Sequence, residues 1–215
     1  MNKTCILYCC LLLSNFVIAD IHYIEPGKEI QERLQEAMIL SKPGDTIQLE
    51  EGLYELTDGL SLAQSGISIK GAGIDKTILD FSQQMTGAQG LLVTSDAVVL
   101  KDFSVINAKG DAIKIVGVDG IFIVNIKVEW TNGPATENGA YGLYPVQSKN
   151  VYIDGCIAIG ASDAGIYVGQ SENIIVKNNT AEYNVAGIEI ENSYYADVYQ
   201  NSVSRNTGGI LIFDL

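Results

Sequence analysis

Basic residues are scarce in this sequence. Its 215 residues include 13 Lys and Arg against 26 Asp and Glu, which gives a formal net charge of −13. Only two arginines occur, Arg33 and Arg205, and the single histidine is His22. Binding to nucleic acid requires clustered Lys and Arg that neutralise phosphates. The composition therefore argues against a nucleic-acid partner and against binding to an anionic membrane surface.

Cysteine is also scarce, and three of the four cysteines lie within the first ten residues. This part of the chain has the order of a signal peptide: Lys3, an apolar stretch too short for a comfortable membrane span, and small residues before Asp20. We predict a signal peptide over residues 1–19, export to the periplasm or the extracellular space, and no membrane insertion after cleavage. A buried N-terminal strand is the alternative.

The predicted mature chain keeps one cysteine, Cys156. A single cysteine excludes an intrachain disulfide and a zinc–thiolate site. The sequence therefore calls for no structural metal and no cofactor.

Proline and charged side chains are infrequent as well. The chain has 4 prolines and 22 glycines, 18% charged residues and 47% hydrophobic residues. Few helix-favouring runs occur after Leu40. This balance favours a β-rich protein whose turns are made by Gly and Asn.

An N-terminal cap is predicted over residues 20–73. Apolar residues fall on one face of a short helix that ends near Leu40, namely Ile30, Leu34, Ala37 and Met38. A turn at residues 41–45 and short alternating strands follow. Such a segment suits the open end of a stacked core, where apolar side chains and strand edges would otherwise meet water.

An internal repeat is the strongest signal in the sequence. Segments that begin at Gly142, Gly165, Gly187 and Gly209 follow one another at spacings of 23, 22 and 22 residues. Each copy holds short strands separated by Gly, Asn and Asp turns. This period is too short for a propeller blade and fits three short strands per turn of a β-coil. Coils stack about 4.8 Å apart, so equivalent positions form columns.

The alternation within each strand predicts which columns face the core. One inward column is Leu143, Ile166, Ile188 and Ile210, and another is Ile153, Val176 and Val198. Asn179 and Asn201 are predicted to form a hydrogen-bonded turn ladder, and Ser148, Ser171 and Ser193 a second polar column. We therefore predict an all-β, right-handed parallel β-helix over residues 74–215, with a short N-terminal capping helix.

Two places depart from this regularity. Residues 131–140 lengthen one coil to about 31 residues, counted from Asp111 to Gly142, and predict an overhanging loop. The sequence stops at Leu215 inside a coil, so we expect the solenoid to be incomplete at its C-terminal end.

The glycine-started coils, together with Pro43-Gly44-Asp45 and Gly71-Ala72-Gly73, resemble the bacterial right-handed parallel β-helix proteins related to pectin lyases and alginate epimerases. Residues 142–151 and 161–171 are similar to an exported subgroup of these proteins whose activity is not established. The resemblance covers nearly the whole mature chain and implies the fold. It implies no reaction, because one fold supports many functions.

The enzymatic motifs of those relatives do not carry over to this sequence. An Asp-Pro-His-Asp motif, an Asp-Asp pair and a His-Gly pair are absent. His22 lies at the start of the cap, far from the repeats, whereas a catalytic base must sit beside its substrate.

The outward face of the first strand in each coil is the best candidate surface. Alternation places Lys114, Tyr144, Tyr167, Glu189 and Leu211 in one outward column, and Val146, Gly169, Glu191 and Phe213 in the next. Stacked tyrosines beside carboxylates offer flat faces to sugar rings and acceptors to sugar hydroxyls. Aromatic stacking that only stabilises the sheet is the alternative.

Glu189 and Glu191 are the candidate catalytic pair. They lie two positions apart on one strand, so their side chains share a face at about 6–7 Å. That separation suits the acid and base of glycoside hydrolysis, or a calcium site completed by Asp214 in the following coil. Solvated surface charge is the alternative.

The long loop supplies further candidates, Glu137 and Tyr141, with Trp130 at its start. Trp130 either walls a groove over Tyr144 or fixes the loop against the rod. Asp163 is interpreted as a turn residue.

Three functions remain open at this point. The chain is an exported carbohydrate-interacting protein, a polysaccharide lyase, epimerase or glycoside hydrolase with its site on this face or beyond Leu215, or a structural scaffold for another exported protein.

Overall fold

The computed structural model describes residues 19–214, so the signal peptide predicted over residues 1–19 lies almost wholly outside the described part. Twenty strands and one helix follow in chain order. The strands are β1 (Ile21–Ile24), β2 (Thr46–Leu49), β3 (Gly52–Glu55), β4 (Leu60–Leu62), β5 (Ser68–Lys70), β6 (Thr77–Asp80), β7 (Gln89–Val93), β8 (Val98–Ile106), β9 (Asp111–Val116), β10 (Asp119–Glu129), β11 (Leu143–Val146), β12 (Lys149–Asp154), β13 (Ile157–Ile159), β14 (Ala164–Gly169), β15 (Glu172–Lys177), β16 (Thr180–Glu182), β17 (Ala186–Glu191), β18 (Tyr194–Tyr199), β19 (Ser202–Ser204) and β20 (Gly208–Phe213). Helix α1 is Ile30–Leu40.

These strands form stacked coils with parallel pairing throughout. One sheet has the order β1-β2-β5-β8-β10-β12-β15-β18 and carries a side column of β3, β6, β13, β16 and β19. The other sheet, here called sheet B, has the order β4-β7-β9-β11-β14-β17-β20. Eight strands stacked along one path give a rod of about eight turns. The predicted parallel β-helix is confirmed.

The strand register confirms the predicted columns. Ile166 pairs with Leu143 on one side and Ile188 on the other, and Ile188 pairs with Ile210. The second inward column also forms, because Val176 pairs with Ile153 and Val198. The inward side chains of the coils as far as β17 join one continuous buried cluster, which also takes in the side chains of α1, whereas Ile210 in β20 is 42% exposed. Each coil therefore buries the apolar face of its neighbours, as a solenoid requires.

Helix α1 covers the free edge of sheet B. Its buried face is Ile30, Leu34 and Met38, as the apolar spacing predicts. Next to this face, the amide of Gln35 accepts from Ser61 N and donates to Ser61 O at 2.9 and 2.8 Å. Gln31 Oε1 accepts from the backbone N–H groups that lead into β4. Since β4 pairs with a strand on one side only, these side chains satisfy backbone groups that would otherwise be unpaired.

Buried polar ladders run along the turns. Asn179 Oδ1 accepts from Cys156 N at 2.8 Å, and Asn179 Nδ2 donates to Asn201 Oδ1 at 3.0 Å, so the predicted asparagine ladder is present. The serine column also forms, with Ser148 N donating to Ser171 Oγ. A second asparagine ladder, which the sequence interpretation missed, links Asn184 Oδ1 to Ala161 N and Asn184 Nδ2 to Asn206 Oδ1.

The long coil is also present, with a loop between β10 and β11. Ile113 pairs with Leu143, so this coil spans 30 residues, and Tyr141 rather than Gly142 is the residue that aligns with Asp111. The strand ladders run without a break across residue 73, because β5 pairs with β8 and β3 with β6. Within residues 19–214, no helix is long and apolar enough to span a bilayer.

Candidate functional site: the tyrosine face of sheet B

The outward face of sheet B gathers three tyrosines, four carboxyl groups and one lysine. We call this patch the tyrosine face and define it as Asp111, Lys114, Tyr141, Tyr144, Asp163, Tyr167, Glu189 and Glu191. Strand pairing places its members side by side, because Lys114 pairs with Tyr144 and Tyr167 pairs with Glu189. The predicted outward columns are therefore confirmed, and they lie beside the loop that carries Tyr141.

The three tyrosine rings pack on one another. Their centroids are 4.3 Å apart for Tyr141 and Tyr144, 4.9 Å for Tyr141 and Tyr167, and 5.0 Å for Tyr144 and Tyr167. The small side chains of Ala164 and Ala186 lie beneath them in the same apolar cluster. Tyr167 is 5% exposed, while Tyr141 and Tyr144 are partly exposed. Tyr167 is thus the base of the cluster, and the other two rings are those a ligand can reach.

A glycine allows Tyr167 to reach the neighbouring coil. The Tyr167 hydroxyl donates to Glu191 Oε2 at 2.6 Å. Its ring crosses Gly169 on the way, and a Cβ at Gly169 would collide with the ring edge and the hydroxyl. Gly169 pairs with Glu191, so the missing side chain leaves the space through which this hydrogen bond runs.

Glu189 is a buried carboxyl group among other negative charges. It is 9% exposed. Burial raises its pKa, and the nearby carboxylates of Asp163 and Glu191 raise the pKa further. A carboxyl group in this position holds its proton to higher pH than an ordinary glutamate, which is the property of a general acid.

Lys114 is the only positive charge in the seven strands of sheet B. Its Nζ lies 3.4 Å from Asp111 Oδ2 and 4.6 Å from the centroid of the Tyr144 ring. Burial raises the pKa of Asp111, and the charge of Lys114 opposes that rise. The lysine is therefore already engaged by a carboxylate and an aromatic ring.

The tyrosine hydroxyls are hydrogen-bond donors rather than bases. Burial raises the pKa of Tyr141 and of Tyr167 well above the ordinary value, and the neighbouring carboxylates of Asp163 and Glu191, respectively, add to the rise. The pKa of Tyr144 is also raised, chiefly by burial. All three stay neutral at physiological pH, so the face combines neutral hydroxyls with carboxyl groups.

Trp130 and Glu137 lie elsewhere. The Trp130 indole is 5% exposed and belongs to the core, and its Nε1 donates to Ala108 O at 2.7 Å. Of the two alternatives for this residue, the structure has the one in which it fixes the loop to the rod. With Glu137 it borders a separate cavity of about 510 Å³ formed by the loops that follow β6, β8 and β10, which also includes Gln84 and Lys109.

Asp214 follows the end of β20 and is exposed. In that coil the residues that align with Glu189 and Glu191 are Leu211 and Phe213, so strand pairing does not bring Asp214 beside the two glutamates. Across residues 19–214, no group of three or more His, Cys, Asp or Glu side chains has an arrangement that could hold a metal ion.

Asp163 belongs to the site although the sequence interpretation treated it as a turn residue. After burial, the charge of its carboxylate is the next cause of the raised pKa values of Tyr141 and Glu189. The sequence pattern identifies Asp111 only as the start of a coil. Asp111 is the first residue of β9, and Asp163 immediately precedes β14. The alignment of Asp111 with Tyr141 is the signal that could have placed Asp111 beside the tyrosines.

Comparisons with known proteins identify the family and the fold. Residues 59–214 match the family described as "Right handed beta helix region". No curated protein sequence matches the chain. Among solved structures, the A-module of the mannuronan C-5 epimerase of Azotobacter vinelandii is 17% identical with a TM-score of 0.59, covering 88% of this chain and 61% of that one.

Two further structures have the same TM-score of 0.59. A rhamnogalacturonan lyase is 14% identical over 90% of this chain and 62% of its own length. An N-terminal fragment of the bacteriophage Phi29 gene product 12 is 15% identical over 88% of this chain and 40% of its own. The chain thus spans between two fifths and three fifths of these proteins, and at such identities the likeness concerns the fold alone. The sequence repeat, the parallel register and the profile match agree, and the chain belongs to the right-handed β-helix family.

Proposed function

We propose that this chain is an exported carbohydrate-binding protein and that a glycan binds on the tyrosine face. The observation that carries the proposal is the meeting of partly exposed tyrosine rings with carboxyl groups on one outward sheet surface. Aromatic rings stack on the apolar faces of sugar rings, and carboxylates accept hydrogen bonds from sugar hydroxyls. Structural neighbours whose names are those of polysaccharide-acting enzymes support a carbohydrate ligand.

Binding to a panel of polysaccharides, measured by calorimetry and affinity electrophoresis, tests this proposal. Tyr144→Ala removes a reachable ring, and we expect at least a tenfold loss of affinity. Tyr152→Ala is the matched control, because Tyr152 lies on the other sheet with its own aromatic neighbour, Phe122, and its own lysine, Lys177. An unchanged affinity for Tyr144→Ala, or an equal loss for both variants, would contradict the proposed location.

Absence of binding to every glycan in the panel would contradict the function itself. In that case, recovery of an exported protein partner by crosslinking would favour the scaffold function instead.

Glycoside hydrolysis is the second candidate function, and the buried Glu189 favours it. Glu189 would protonate the glycosidic oxygen, while Glu191, its carboxylate held by the Tyr167 hydroxyl, would act as the nucleophile or base. A lyase or epimerase has less support, because abstraction of a proton beside a uronate carboxylate needs a cation there, and Lys114 is engaged by Asp111.

Amide substitutions separate catalysis from binding. Glu189→Gln and Glu191→Gln keep the size of the side chains and remove the acid and the charge. For a hydrolase we expect the rate of product formation to fall by a factor of at least one hundred, while the affinity for the glycan stays within threefold of the wild-type value. Wild-type protein that binds a glycan and releases no product from it over days would exclude hydrolysis of that glycan.

A further inference from the structure

We propose that the tyrosine face selects uncharged glycans and rejects uronate polymers. This inference rests on the proposed carbohydrate-binding function and adds the class of substrate. It follows from the excess of carboxyl groups over positive charges on the face, and from the ion pair that its one lysine, Lys114, already forms with Asp111.

The face holds four carboxyl groups against one lysine. The lysine is in contact with Asp111, and its ammonium group lies over the Tyr144 ring, so it has one carboxylate partner already. Of the other three carboxyl groups, Glu189 is buried, which raises its pKa, and the nearby carboxylates of Asp163 and Glu191 raise that pKa further. A uronate residue would bring a further carboxylate into a site that already disfavours its own charges.

The hydrogen-bonding inventory points in the same direction. Binding of a sugar carboxylate needs donors such as Arg, Lys or free backbone N–H groups. On this face, the Tyr167 hydroxyl already donates to the Glu191 carboxylate, and the Asp163 carboxylate lies near Tyr141 and helps to raise its pKa. The groups left for a ligand are mostly acceptors, and hydroxyl groups of an uncharged sugar are the matching donors.

Pairs of polymers with the same backbone test the inference. Polygalacturonate is compared with its fully methyl-esterified form, and alginate with its carboxyl-reduced form, beside neutral glucans, mannans and xylans. We expect the uncharged member of each pair to bind at least tenfold more tightly at low ionic strength, and the difference to shrink as salt screens the repulsion.

A variant with two fewer negative charges provides the second arm. Asp163→Asn combined with Glu191→Gln keeps an oxygen acceptor for each tyrosine hydroxyl while removing two charges. We expect this variant to bind uronate polymers at least tenfold more tightly than the wild type does. The control Glu32→Gln with Glu36→Gln removes the same total charge from the exposed side of α1 and should leave uronate binding unchanged.

The outcomes distinguish this inference from the function on which it rests. Equal or tighter wild-type binding to the charged member of the pairs overturns the selectivity while keeping the carbohydrate function. A variant that gains no uronate affinity also overturns it. Failure to bind any polymer, charged or uncharged, contradicts the function instead.

Discussion

Replacement of Asn179 by alanine should destabilise the rod much more than the same replacement at Asn201, one coil away in the same ladder. Asn179 is 1% exposed, and its side chain accepts from Cys156 N at 2.8 Å and donates to Ile153 O and Asn201 Oδ1 at 3.3 and 3.0 Å. Alanine would leave the buried Cys156 N–H group without an acceptor, which costs about 1–3 kcal/mol, and would remove two further hydrogen bonds. We expect a loss of about 3 kcal/mol in the free energy of unfolding.

The Asn201→Ala variant is the internal control. Asn201 makes equivalent bonds to Asn179 N and Val176 O at 2.9 Å each, but it is partly exposed, so water can replace its side chain. We expect a loss of about 1 kcal/mol there. Guanidinium unfolding followed by the fluorescence of the buried Trp130, the only tryptophan of the chain, and by circular dichroism measures both values. Equal losses for the two variants, or a loss below 1 kcal/mol for Asn179→Ala, would refute the argument from burial.

Three further predictions concern single groups. Glu189→Gln should raise the thermal midpoint at pH 7, because the pKa of Glu189 is raised in the fold, so that its ionisation above the ordinary pKa of 4.5 destabilises the folded state. The gain in thermal midpoint should vanish near pH 4. A variant with a lower thermal midpoint than the wild type at pH 7 would contradict the direction of this pKa shift. Gly169→Ala should push Tyr167 away from Glu191 and change the tyrosine signal in near-ultraviolet circular dichroism; a spectrum identical to that of the wild type would show that the ring does not occupy this space. Burial raises the pKa of Cys156 to about 12, so iodoacetamide should label it only at the rate of unfolding, and rapid labelling of the native protein would disprove the burial.

The sequence predicts the stacked fold well because the fold depends on a local periodic pattern. Parallel coils place every residue beside the one about 22 positions later, so the columns of Ile166 and Ile188 can be read directly from spacing. The Asn179 ladder follows from the same rule. The ladder of Asn184 and Asn206 was not predicted, because an alignment of the coils on their glycines does not single out the turn that holds Asn206.

The site was predictable where it lies on strands and not where it lies on loops. Tyr144, Tyr167, Glu189 and Glu191 were placed together by alternation alone. The contact of Asp163 with Tyr141 depends on the path of the chain between strands, which alternation does not determine. The position of the Trp130 ring was open for the same reason.

The two glutamines of α1 have a consequence for how these rods meet other chains. The free edge of a parallel sheet is a template onto which any extended segment can add. Gln31 and Gln35 occupy that template on sheet B with side-chain amides, which imitate the backbone of a further strand but cannot propagate it. These side chains therefore end sheet B at β4. Loss of both would leave the β4 edge open to pairing with a strand of another chain.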